Sequence, residues 1–425
     1  MIQRHPPGYE RLFYNTMTNN ANPELDATLI SSQFLVDPYP TLRRLQTEAP
    51  VVWSDSVGAW IVSRYDDVLV TFKDVAHFSN EGRLGRAVEY LTPEQRAHFG
   101  PFENHYATKS LIHSDPPDHT RLRALVNKAF TPRVVEGMRP RIQALVDELL
   151  DQALSAGPID LIRDLAGPLP TIVIAEIVGV PRADTMRFKH WADDILGFQG
   201  VNRPPLAALE RAQHGIVDMR AYLEALVAER RQQPRDDLLS RLVAAEADGE
   251  RLSATELVSS VVTLLVAGHE TTLSLIGNGL LALLQHPEQL AQLRQDPSLM
   301  PSAIEEMLRY ESPVARQPRA IIQDVTLGGQ AMQRGQMAFQ FLNAANRDPA
   351  YFADPDRFDL RRANNRHLAF GNGVHFCVGA PLARLEGPIA IDTVLRRMPQ
   401  LQLAGEAEWD ISKPNSRLLR SLPVN

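Results

Sequence analysis

The only cysteine of this 425-residue chain, Cys377, lies in its densest run of informative residues, HLAFGNGVHFCVGAPLARLE over 367–386. Phe370, Gly371, Gly373 and His375 precede it. Gly379 and Pro381 follow, and a helical pattern then begins. Close glycines let backbone approach a bulky group and adopt positive φ. A cysteine just ahead of a helix has its thiolate stabilised by the positive helix end and nearby amides. A thiolate so placed is a good ligand for a soft or borderline metal. One cysteine excludes an intrachain disulfide, and also a Cys-rich zinc or iron–sulfur site within the chain. A haem needs only one protein sulfur. A lone cysteine is more often an inert buried thiol, and spacing alone leaves a Cys nucleophile with a His base open. Gly371-Asn372-Gly373 could begin a phosphate loop, but position 376 is Phe where such a loop needs a third glycine.

Three more groups have chemical spacing. Ala267-Gly268-His269-Glu270-Thr271-Thr272 interrupts an otherwise apolar helical run. Gly and Thr are poor helix formers, and a Thr hydroxyl can bond back to a carbonyl, so the plain reading is a polar patch. His269-Glu270 is not a zinc-protease pair, because residue 273 is Leu. Glu306 and Arg309 are three apart on a helix and share a face, which by itself is an ordinary surface pair. His119 and Arg123 are four apart at a helix start and also face one way.

The elements that must position these residues are mostly helices. Residues 140–154, 207–230, 236–245 and 253–285 have apolar positions at helical spacing. Ser253 with Glu256 reads as a capping box opening the last of these. Strand-like runs are short: 51–53 and 59–63 near the start, 319–327 and 332–341 around Gly328-Gly329, and one group within 401–424. Helices and strands do not alternate, which disfavours a doubly wound sheet. Residues 78–113 and 197–205 are long connections of the kind that form lids. A net charge of −7 argues against a nucleic-acid partner. The first 22 residues have no apolar signal core, and the most apolar stretch, 257–268, is interrupted by Ser259, Ser260 and Thr263. A cytoplasmic protein without a membrane anchor is therefore expected.

Phe370-Gly371-x-Gly373-x-His375-x-Cys377-x-Gly379 resembles the cysteine loop of the cytochrome P-450 family. Ala267-Gly268-x-Glu270-Thr271 is similar to that family's oxygen-side helix segment, and Glu306-x-x-Arg309 followed by Pro355-Asp356-Arg357-Phe358 matches its motif order. The resemblance spans roughly 34–424. It implies one mainly α domain with small sheets over 26–425, rather than the two or three domains that length suggests, with residues 1–25 a disordered extension. Haem b would sit between the long helix and the Cys loop with its following helix. Cys377 would be the axial thiolate on iron, with Phe370, Gly371, Gly379 and Ala267 against the haem. His119, Arg123, Arg319 and His375 would bind the propionates. Glu270 and Thr271 would deliver protons for O2 activation, and Gly268 would open a groove for O2. Glu306, Arg309 and Arg357 would form a buried triad under the Cys loop. Thr263, Val266, Ala267, Val314, Ala315 and the segment from Leu84 to Leu111 would line an apolar substrate pocket. The resemblance implies a monomeric monooxygenase acting on a terpenoid, steroid, fatty acid or polyketide. No flavin or iron–sulfur module is visible, so electrons would come from a ferredoxin with its reductase, or a flavodoxin. Arg121, Arg133, Arg361, Arg362, Arg366 and Arg384 would steer such an acidic partner. Two rivals are a peroxide-driven peroxygenase and a haem-thiolate sensor or carrier without turnover.

Overall fold

The computed structural model describes residues 22–201, 203–247 and 250–425. Its spine is the helix Ala254–Gln285, opened by the expected capping box. The Ser253 hydroxyl accepts from the Glu256 amide at 3.2 Å, and the Glu256 carboxylate accepts from the Ser253 amide at 2.9 Å. Around the spine pack Pro168–Val178, Leu206–Gln232, Met300–Tyr310 and Ala380–Arg397. The spine is long and apolar enough to cross a bilayer. Yet 78% of its most apolar window is buried by these neighbours, so its hydrophobicity is satisfied inside the fold.

A five-stranded sheet stands to one side, in the order Val51–Ser54, Ala59–Val62, Met337–Phe341, Arg316–Ile321 and Phe78–Ser79. All pairs are antiparallel except Ala59–Val62 with Met337–Phe341. The Gly328-Gly329 turn has φ of +56° and +78°, which suits a tight hairpin, and joins Val325–Leu327 to Gln330–Met332. The sequence pattern does not reveal Phe78–Ser79, because a two-residue strand has no alternation to read.

Two expectations need correction. Of the supposed N-terminal extension, 1–21 lies outside the described residues, but Pro23–Thr28 is helical and Leu25 is 1% exposed against Leu29, Leu45 and Phe341. The buried fold therefore starts before residue 26. The connection over 78–113 is not loose: it holds helices Pro93–Ala97 and Gly100–Ala107 and buries Phe99 and Phe102.

Candidate active site

The Cys377 loop is shaped by two left-handed glycines. Gly371 has φ +70° and Gly373 φ +67°. A Cβ at Gly373 would lie 2.7 Å from the Phe72 carbonyl oxygen, so this backbone rests directly on the helix Tyr65–Lys73. The Cys377 amide donates to the Phe370 carbonyl at 2.9 Å, and the Leu368 amide to Asn346 Oδ1 at 2.7 Å. Burial pushes the Cys377 thiol up. The amides of Gly379 and Ala380, at the start of Ala380–Arg397, and the guanidiniums of Arg123 and Arg384 act the other way. Arg384 lies 4.6 Å from the Phe370 ring centroid and binds Glu305 through two contacts of 2.7 Å. Burial of Glu305 acts upward, yet Arg384 and His367 together hold it at about 2.

Beneath this loop Glu306 and Arg309 are fully buried and paired at 2.8 Å. Arg309 also donates to the carbonyls of Asn346, Pro355 and Arg357. Arg357 is not the third member of the brace. Its side chain is 65% exposed, 3.8 Å from Asp359, and only its carbonyl takes part. Arg362 fills the role, with Nε 3.1 Å from both Glu306 oxygens, and Asn365 adds a further bond. The steering cluster is corrected likewise. Arg121 is paired with Glu250 and Glu256, Arg361 with Asp296, Arg362 with Glu306 and Arg384 with Glu305, while Arg133 and Arg366 are exposed. Beside the Cys loop Val374 and Phe376 are also exposed.

On the other flank, His119 and His375 bring their ring centroids to 4.1 Å. His119 is 2% exposed and neither ring nitrogen has a partner. Burial first, and then His375 and Arg123, lower it to about 4. His375 Nε2 is 3.6 Å from Asp115 Oδ1, an ion-pair distance too long for a hydrogen bond. Burial acts upward on Asp115, but His375, Ser79 and the Asn80 amide hold it at about 2. Arg319, 3% exposed, donates to the Pro318 carbonyl at 3.1 Å, and its guanidinium stays 5.3 Å from the Phe72 ring centroid. Arg123 donates to the Phe376 carbonyl at 2.7 Å. Buried donors without acceptors are costly, and an anionic edge would satisfy them. The residues present therefore fit a haem. His119, His375, Arg123 and Arg319 would be the residues to bind its carboxylates, and Cys377 would supply the one sulfur.

On the spine helix Ala267 is exposed and Thr263 and Thr271 are half-buried, although the turns around them are buried. Val266, 9% exposed, packs in the core cluster beside them. At Gly268 the bare Cα admits Ile174, whose Cγ1 would lie 3.2 Å from a Cβ there. The Thr271 hydroxyl donates to the Ala267 carbonyl at 2.9 Å. Glu270 is buried and paired with Lys413, which also approaches Asp193 at 3.3 Å. His269 completes the group, 2.6 Å from the Thr171 hydroxyl and 3.4 Å from Asp193. Lys413 is invisible to motif reading because it arrives 143 residues downstream on an irregular segment. The half-buried Val314 and Ala315 adjoin that segment, through a bridge to Ser416 and the Asn415 carbonyl respectively.

The family model described as cytochrome P-450 matches residues 84–424. The chain is 43% identical to the cytochrome P-450 monooxygenase PikC of Streptomyces venezuelae, over 96% of this chain and 95% of that one. It is 41% identical to the 6-deoxyerythronolide B hydroxylase of Saccharopolyspora erythraea, over 93% and 96%. The crystal structure of P450BioI in complex with a hexadec-9Z-enoic acid ligated acyl carrier protein superposes with a TM-score of 0.84. That match has 37% identity and covers 93% of this chain and all of that one. With the cysteine loop, the His–Arg flank and the spine helix in one arrangement, this chain belongs to the cytochrome P-450 family of haem-dependent monooxygenases.

Proposed function

We propose that this chain inserts one oxygen atom of O2 into an apolar small molecule, by hydroxylation or epoxidation, with Cys377 as the axial ligand of haem b. The observation that carries the reading is the Cys377 sulfur, which receives two helix-start amides and faces Arg123 and Arg384. Bound haem supplies O2 binding and its reductive activation, and a thiolate ligand favours O–O cleavage. The protein's part is to hold the sulfur, orient the cofactor, shape the pocket and move protons.

In this reading Thr271 hands a proton forward by releasing the Ala267 carbonyl, to which its hydroxyl donates. Glu270, tied to Lys413, is the carboxylate next along the helix that can pass protons inward. Thr263, Ala267, Val314 and Ala315 supply a small, mostly apolar lining. We place the substrate among polyketide lactones and long acyl chains. The relatives' printed names support this, a macrolactone for one and a carrier-bound fatty acid for another. Electrons are expected from a separate ferredoxin and its reductase, or a flavodoxin, and the protein is expected to be a cytoplasmic monomer.

The test is a spectral titration of ferric holoprotein with macrolactones, free fatty acids and acyl carrier conjugates. Turnover with NADPH and a ferredoxin system is then compared with turnover on hydrogen peroxide. Partner-driven oxygenation of a compound that displaces the iron-bound water supports the reading. Turnover on peroxide alone, or none with any donor, overturns it.

A further inference from the structure

His119, Arg123, Arg319 and His375 are legible as motif matches, but the fold brings a third arginine to this flank. Arg83 follows the short strand Phe78–Ser79, which pairs with Arg316–Ile321, the strand carrying Arg319. Gly82, at φ +67°, turns the chain between strand and arginine. Arg83 is 8% exposed. Its Nη1 donates to the Pro318 carbonyl at 3.0 Å, the same oxygen that accepts from Arg319 Nη1 at 3.1 Å. Two guanidiniums thus meet on one buried carbonyl, and Arg83 electrostatically opposes the charge on Arg319. The Arg83 Nε–H has no acceptor at all.

Like charges brought together out of water are costly unless an anion joins them. Asp115 is the carboxylate that acts on both, but the Ser79 hydroxyl and the Asn80 amide already bond its two oxygens. Arg83 and Arg319 thus lean on one carbonyl and one carboxylate whose oxygens are already engaged, and the Arg83 Nε–H still lacks an acceptor. A haem propionate is an anion of the kind that would join them.

We infer that Arg83 is a haem-propionate ligand, bound jointly with Arg319 through the guanidinium edge that Pro318 leaves unpaired. The inference rests on haem occupying the site proposed above. It makes the segment after Phe78–Ser79 part of the cofactor cradle.

The test measures haem loss from ferric holoprotein to excess apomyoglobin for the parent, Arg83→Gln and Arg83→Lys, each loaded with natural haem or with its dimethyl ester. Losing a charge-assisted hydrogen bond should speed loss of natural haem by about tenfold or more in Arg83→Gln. Arg83→Lys should fall between Arg83→Gln and the parent. With the ester, whose edge is uncharged, Arg83→Gln should differ from the parent by less than about twofold. Equal acceleration with both haems would make Arg83 a structural brace and overturn the inference. Unchanged haem loss, with weaker binding of carboxylate-bearing substrates alone, would also overturn it by making Arg83 a substrate anchor. A parent that holds no haem would instead defeat the functional reading itself.

Discussion

Replacing Arg362 and Arg357 separately by Ala distinguishes the brace seen in the structure from the one implied by motif order. Arg362 is 9% exposed and contacts both oxygens of the fully buried Glu306. It also donates to the carbonyls of Ala353, Asp354 and Arg357. Removing one partner of a buried ion pair costs about 3–5 kcal/mol. Glu306 would retain Arg309, so the lower part of that range applies, about 3–4 kcal/mol. This is a large share of the roughly 5–15 kcal/mol that typically holds a fold together. Arg357, exposed and 3.8 Å from its nearest carboxylate, should cost no more than about 0.5 kcal/mol. The assay is the denaturant midpoint by circular dichroism, read with the slope unchanged, together with the fraction of purified protein carrying thiolate-bound haem. Arg362→Ala should lower both, and Arg357→Ala neither. Equal losses from the two variants, or none from Arg362→Ala, would refute the reassignment.

Gly373→Ala should reduce haem-loaded protein and cost about 1–3 kcal/mol, because φ is +67° and a Cβ would strike the Phe72 carbonyl; normal loading would show that the loop is not so constrained. Thr271→Ala should keep haem and substrate binding but divert reducing equivalents to peroxide, measured as product formed per NADPH consumed; full coupling would remove the hydroxyl from proton delivery. Asp115 and Glu305 are both held at about 2, below their unfolded values near 4, so their stabilisation is complete above roughly pH 5 and is lost as pH falls toward 2. The haem-loaded form should therefore loosen across that window, and Glu305→Gln should flatten part of the transition; an unchanged acid profile would count against the Glu305–Arg384 tie.

Much of this was legible because the chemistry is local in sequence. The Cys377 loop, the capped spine helix and the Glu306–Arg309 pair each lie within one element or turn, where spacing fixes geometry. Partners brought in by tertiary contact were not legible. Lys413 reaches Glu270 across the fold, and Arg83 reaches Arg319 only because a two-residue strand pairs there. Arg357 misled for the same reason. Its place in the motif is real, but the loop turns its carbonyl inward and its guanidinium outward, leaving Glu306 to Arg362. Gly268 shows how one residue type serves two ends, since close packing against Ile174 uses the same missing side chain that a groove would.

The most direct measurement is the carbon monoxide difference spectrum of the reduced protein, taken on the parent and on Cys377→Ser. The parent should show the red-shifted Soret band of a thiolate-ligated haem. The serine variant should lose that band even where haem is retained. A parent spectrum typical of histidine ligation, or a serine variant identical to the parent, would contradict the assignment of Cys377 to the iron.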